Sequence, residues 1–133
     1  MVIGKTYQLP FPPEKVYAAW ISSGTVIAPA TRMDIEPVVG GHYRLFMETP
    51  DFTARNEGTF LEIIPGKRII YTWEWNGDGE ITKIAVTFTA SSGGAQVDIH
   101  HSGFSKEESR AAHDQGWDNY IDGLTAHLKT GVA

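Results

Sequence analysis

Apolar and polar residues alternate along most of this chain, and the period lengthens to that of a helix in two places. Residues 3–9 (IGKTYQL) read as a first strand, which Pro10 ends. Pro12 and Pro13 then open a helix, where a missing N–H costs little, and Glu14 suits its positive end. Val16, Tyr17, Trp20 and Ile21 recur at helical spacing and give that helix one apolar stripe. The stretch from Thr25 to Ala30 reads as a second short helix or a loop. Strands are then predicted over Arg32–Val38, His42–Glu48, Arg55–Ile64 and Arg68–Trp75, separated by turn signals at Gly40-Gly41, Pro50-Asp51 and Pro65-Gly66. Asn76-Gly77-Asp78-Gly79 is a hairpin loop. From Glu80 to Thr89, Ile84, Val86 and Phe88 share a face; from Ala95 to Ser102, Val97, Ile99 and His101 do the same. Successive hairpins of this kind form an antiparallel meander.

The C-terminal segment is a second helix. Ser105 and Glu108 have the spacing of a capping box. His113, Trp117, Tyr120, Ile121, Leu124 and Leu128 fall on one stripe, and Gly131 supplies the stop. At 1.5 Å per residue it runs roughly 36 Å, which needs a broad surface to cover. The expected fold class is α+β, with this helix lying across the sheet in one domain, residues 1–133.

Charge and composition narrow the function. The net charge of -5 and the absence of any basic cluster beyond Lys67-Arg68 argue against nucleic acid. The chain has no cysteine, which excludes disulfides, thiolate metal sites and a thiol nucleophile. Met1 to Pro10 lacks the pattern of a signal peptide, and no apolar run is long enough to span a bilayer, so the expected location is the cytoplasm, with no membrane partner. There is no G-x-S-x-G, phosphate loop or dinucleotide fingerprint, and neither a catalytic residue nor a cofactor is assigned.

What chemistry there is sits on the inner face. Tyr71, Trp73 and Trp75 alternate along one strand and are expected to face Trp117 and Tyr120, as core packing or as the lining of a pocket for flat or apolar ligands. Trp20, Tyr43 and Leu124 join them as candidate ligand contacts. His101, inward by strand parity, and His113, one turn before Trp117, are the polar candidates. They could form an acid–base pair, or His101 could satisfy a backbone group at the strand–helix junction. Metal binding is not expected, because His100 and His101 point to opposite faces and too few ligands converge. Arg55 and Glu57 share a parity with Thr59, Leu61 and Ile63; the simpler reading is that both charges are exposed. Glu107, Glu108, Asp114, Asp118 and Asp122 read mostly as the solvent side of the helix. Gly116 and Gly123 inside the helix suggest close backbone approach or room in a cavity.

Five segments, taken in order, resemble a known group. They are FPPEKVY from Phe11, VGGHYRL from Val39, EIIPGKRIIYTWEW from Glu62, HSGF from His101 and HDQGWDNYIDGL from His113. Together they are similar to the START-like (SRPBCC) superfamily, in the branch named for the C-terminal domain of the activator of the heat-shock-protein-ninety ATPase. The resemblance implies a helix-grip fold, a curved antiparallel sheet wrapped around the long helix with a cavity between them. Members carry one or two tryptophans just after the first helix, in a segment that lids the cavity. Thr25 to Ala30 has none, so a different lid is expected here.

Three functions follow. The first is a binding domain for an apolar or aromatic small molecule. The second is an enzyme using His101 and His113 on a hydrophobic substrate. The third, carried by the resemblance alone, is a chaperone-cofactor-like interaction module, although such a cochaperone would be expected to carry a second domain. A homodimer is compatible with all three, and no interface is legible.

Overall fold

The computed structural model describes residues 2–21, 31–50 and 52–130. The segment from Thr25 to Ala30, expected to form the lid, and the helix stop at Gly131 lie outside them, as does Asp51 of the expected turn.

Seven strands form one antiparallel sheet: β1 (Val2–Leu9), β2 (Arg32–Ile35), β3 (His42–Thr49), β4 (Phe52–Ile64), β5 (Arg68–Trp75), β6 (Ile81–Ser91) and β7 (Gly94–Ser102). The spatial order is β1-β7-β6-β5-β4-β3-β2, so β2 to β7 meander and β1 returns to pair with the last strand. The helices are α1 (Pro13–Ile21) and α2 (Glu107–Thr130). This is the α+β, helix-grip-like arrangement expected: a curved sheet, a short helix and a long one. The second strand stops at Ile35, short of the expected Val38, because Glu36 to Gly41 close a turn instead, with Gly41 N–H bonded to the Val38 carbonyl at 2.8 Å.

Local chemistry sets the element ends. The Pro12 carbonyl accepts the first bonds of α1, from Lys15 and Val16 N–H, and Pro13 has no N–H to leave unpaired. Asn76 and Gly77 both have positive φ, 52° and 67°, and Asp78 N–H closes the turn onto the Trp75 carbonyl at 3.0 Å. Those two positive φ values make a type I′ turn within the five-residue connection from Asn76 to Glu80. The start of α2 differs from its expected capping box. The helix begins at Glu107, and the Ser105 hydroxyl donates to the Glu80 carboxylate, which also accepts Ser105 N–H at 2.9 Å and the Ser109 hydroxyl at 2.5 Å. A negative group from the base of the β5–β6 hairpin therefore joins Glu107 and Glu108 of the first turn at this helix end.

Alternation fills the core. Ile84, Val86 and Phe88 of β6 and Val97 and Ile99 of β7 are buried against Val16 and Trp20 of α1, and against Ile121, Leu124 and Leu128 of α2. The long helix is also tied down at its flank. Asp118 accepts from Lys5 Nζ at 3.0 Å and from Tyr7 Oη at 2.7 Å, and Asp114 lies 3.4 Å from the same ammonium. These two acids thus clasp α2 to β1, beyond the plain solubility role expected of them. The Asp118 carboxyl is held below its ordinary value by the Tyr7 and Lys5 bonds, while burial first, and then Asp118, push the Tyr7 phenol up.

Parity in β4 changes part-way. Arg55 and Glu57 face outward and pair with one another at 3.4 Å, and Glu57 also meets Arg44 at 3.2 Å. Between Phe60 and Glu62 the register shifts. Leu61 keeps the outward parity of Arg55 and Glu57, and the extra residue brings Ile63 onto the core, so Leu61 and Ile63 do not share a face as strict alternation predicts.

Candidate functional site

Every second residue of β5 faces α2. Ile69 and Tyr71 are buried there, and Trp73 and Trp75 are half-buried. Tyr43 of β3 extends this aromatic floor: its ring meets Tyr71 edge-on at 5.3 Å between centroids and stacks on Trp73 at 6.4 Å. Opposite the floor, α1 supplies Trp20 and α2 supplies Trp117 and Tyr120, with Trp20 lying 4.9 Å from Tyr120 and 6.0 Å from Trp117. Between the two layers is a pocket of about 540 Å³.

Trp20, Tyr43, Tyr71, Trp73 and Trp75 line this pocket, as do His101, His113, Trp117 and Tyr120. Leu124 does not. The stripe that presents Trp117 and Tyr120 to the pocket meets close-packed core one turn later, where Leu124 is fully buried. The lining also includes residues that the sequence reading missed. Met33, Ile35, Leu45 and Met47 of β2 and β3 add an apolar wall. Asn56 is the more telling omission, a polar residue only 2% exposed. Its signal was present: with Arg55 and Glu57 outward, the residue between them must point inward. Gly116 borders the pocket as well, and no atom lies within 4 Å of where its Cβ would be, so of its two expected roles it leaves room.

His101 is wholly buried and both of its ring nitrogens are engaged. The Trp117 indole N–H donates to Nδ1 at 3.1 Å, and Nε2 lies 2.6 Å from Thr82 Oγ1. An indole nitrogen can only donate, so Nδ1 is bare and Nε2 carries the proton. The Thr82 hydroxyl passes the chain on to the Trp73 carbonyl at 3.2 Å. Burial first, then the neighbouring His113, lower the imidazole pKa to about 3. At neutral pH His101 is therefore a neutral ring with no free lone pair. It pins β7, β6 and β5 to α2, and its partners are side chains where a backbone group was expected.

His113 lies across from it, the two rings perpendicular and 5.5 Å apart. Its Nδ1–H donates to the Ser109 carbonyl at 2.8 Å, one turn back along the helix. Its Nε2 is buried without a hydrogen-bond partner, as are Trp73 Nε1 and Asn56 Oδ1. Two of the lining phenols have partners within the protein. The Tyr43 hydroxyl donates to the Thr72 carbonyl, and Tyr71 Oη accepts the Trp20 indole N–H at 3.2 Å. Burial pushes the Tyr43, Tyr71 and Tyr120 phenols above their ordinary value, so all three are neutral. Among the described lining residues Asp78 is the one carboxylic acid, and none is Lys or Arg. His100 is exposed on the other face of the sheet, and among the described residues no three His, Asp or Glu side chains are placed to hold a metal ion.

The aromatic floor and the two helices span the segments that carried the resemblance, and comparison with known families agrees. The family model described as Activator of Hsp90 ATPase homolog 1-like protein matches residues 10–129. The chain belongs to this family. Solved structures share its architecture. A Chromobacterium violaceum protein is 25% identical over 94% of this chain and 95% of its own, with a TM-score of 0.79. An HSP90 activator from Plasmodium falciparum is 18% identical over 97% and 96%, with a TM-score of 0.82. A protein of unknown function from Staphylococcus aureus is 19% identical over 98% and 94%, with a TM-score of 0.84. At such identities the last two establish the shared fold alone. No curated protein matches the chain at a significant level. Among the described residues no helix is long and apolar enough to cross a membrane.

Proposed function

We propose that this chain is a binding domain for an apolar or aromatic small molecule, held between β5 and α2. The observation that carries the reading is the 540 Å³ pocket faced by Tyr71, Trp73 and Trp75 on one side and Trp117 and Tyr120 on the other. A close-packed core leaves few voids larger than a water molecule. This space is within the range of small-molecule sites, and its walls are mainly apolar with a few polar atoms, as such sites require. The contacts proposed are Trp20, Tyr43, Tyr71, Trp73, Trp75, His101, His113, Trp117 and Tyr120, with Leu124 supporting from behind.

Ligand that binds only the folded state raises the melting temperature by mass action. A panel of lipids, flavonoids and polyaromatics, read by thermal unfolding and by quenching of tryptophan fluorescence, tests the proposal. Saturable quenching with a rise in Tm is the expected result. No response to any member would sink it.

The reading of His101 and His113 as an acid–base pair has less support, since both His101 nitrogens are committed to Thr82 and Trp117. An Hsp90-cofactor role has the family and the Plasmodium neighbour in its favour. A pull-down with Hsp90 separates it from ligand binding: retention by the chaperone would favour it, and loss at matched concentration would remove it.

A further inference from the structure

Resting on the reading of this pocket as a ligand site, we infer that its ligand is an uncharged, largely flat apolar molecule bearing a hydroxyl group at the end formed by Asn56, Trp73 and His113. Among the described residues the three buried side-chain polar atoms without partners belong to these residues. They gather at one end of the floor. Asn56 lies opposite Trp75 in the β4–β5 register, and the His113 ring stands 6.2 Å from Trp73 and 6.5 Å from Trp75, nearly perpendicular to both.

Their chemistry is complementary to a hydroxyl. Trp73 Nε1–H can only donate, Asn56 Oδ1 can only accept, and His113, whose Nδ1–H is spent on Ser109, presents Nε2 as an acceptor in the tautomer that this bond selects. A hydroxyl both donates and accepts, so one such group satisfies the indole and one acceptor together. A buried polar group without a partner is costly, and a ligand that supplies one recovers that cost. Tyr43 and Tyr71, by contrast, already have partners for their hydroxyl oxygens within the protein. The charge pattern excludes the commonest alternative. A carboxylate would enter a site whose described lining offers no Lys or Arg and holds the acid Asp78. An unpaired anion in an apolar site is strongly disfavoured.

Pyrene, 1-hydroxypyrene and 1-pyrenecarboxylate share one flat body and differ only in the polar group. Titration of the wild-type chain, followed by tryptophan quenching, is expected to rank hydroxypyrene about ten-fold tighter than pyrene, as for a buried hydrogen-bond partner gained, and the carboxylate weakest. His113→Phe and Asn56→Leu, each confirmed as folded by its thermal transition, are expected to bring the ratio of hydroxypyrene to pyrene affinity down toward one. Pyrene binding as tightly as hydroxypyrene, or a carboxylate that binds best, overturns this inference and leaves the pocket a ligand site. A preference that survives both substitutions also overturns it. Failure of all three probes to bind overturns the site and the inference together.

Discussion

Trp117 donates its indole N–H to Nδ1 of His101 at 3.1 Å, and this one bond selects the tautomer that the buried histidine holds. The helix and the last strand are thereby joined through a polar contact inside an otherwise apolar cluster. Nitrogen-15 NMR of the imidazole is expected to show a neutral ring protonated at Nε2, unchanged as the pH falls from 8 to about 4. A ring that gains its second proton near pH 6.5 would contradict the geometry.

The same group makes stability depend on pH. Its folded pKa is depressed to about 3 from an ordinary 6.5. Below 6.5 the unfolded chain takes up a proton that the folded chain refuses, so stability is full above that value and declines as the pH falls toward 3. Each pH unit in that window removes up to about 1.4 kcal/mol from this site. Urea denaturation between pH 7.5 and pH 4.5 checks it, and replacement by Phe should flatten the slope.

His101→Phe also strands the Trp117 indole N–H and takes from the Thr82 oxygen the N–H that it accepts. The expected cost at pH 7 is about 3 kcal/mol, and Thr82→Val alone should cost about 1 to 2 kcal/mol. Combined, the two changes should cost less than their sum, because Thr82 no longer has an orphaned group to bury. Strict additivity would mean that the bond at 2.6 Å carries no coupling.

Glu80→Ala removes the carboxylate that gathers Ser105 and Ser109 at the start of α2. Bonds from these serines, that of the Ser105 side chain first, hold the Glu80 carboxyl down to about 2 from 4.5. Its contribution is thus present above pH 4.5 and fades as the pH drops through 2. Because the group is exposed, solvent screening limits the loss to about 1 kcal/mol, measured at pH 7. Hydrogen exchange should localise the loosening to the first turn of α2.

Two glycines should respond in opposite directions to alanine. At Gly58 a new Cβ would sit 2.0 Å from the Thr72 carbonyl oxygen, so β4 and β5 must part; a loss of about 2 to 3 kcal/mol is expected. At Gly116 the space is open, and alanine should gain up to about 1 kcal/mol by helix propensity. Gly116→Phe extends into the pocket and should abolish binding of a pyrene-sized ligand while the fold persists.

The sheet and the long helix were legible because burial imposes a period on the sequence. Ile84, Val86 and Phe88 announce a strand, and the stripe from His113 to Leu128 announces a helix, whatever surrounds them. The aromatic floor was legible for the same reason. Features that depend on what lies opposite were not. The shift between Phe60 and Glu62 reverses parity without a local marker, so Leu61 and Ile63 were placed together. Ser105 has the spacing of a cap for its own helix, yet a carboxylate 25 positions back takes its hydroxyl. Thr82 became the partner of His101 only through the pairing of β6 with β7, and Leu124 fell behind the pocket because the floor ends before it does.

The pairing of β1 with β7, from Val2 opposite Ser102 to Leu9 opposite Ala95, joins positions about as far apart as the sheet allows. Non-local pairing slows folding, since the intervening chain must be ordered before the contact forms. During synthesis β1 has no strand to lie against until β7 has left the ribosome, and α2, which follows, must come later still. The domain should therefore complete its fold only once α2 has emerged, with the β2–β6 meander as the earliest part able to protect itself from exchange.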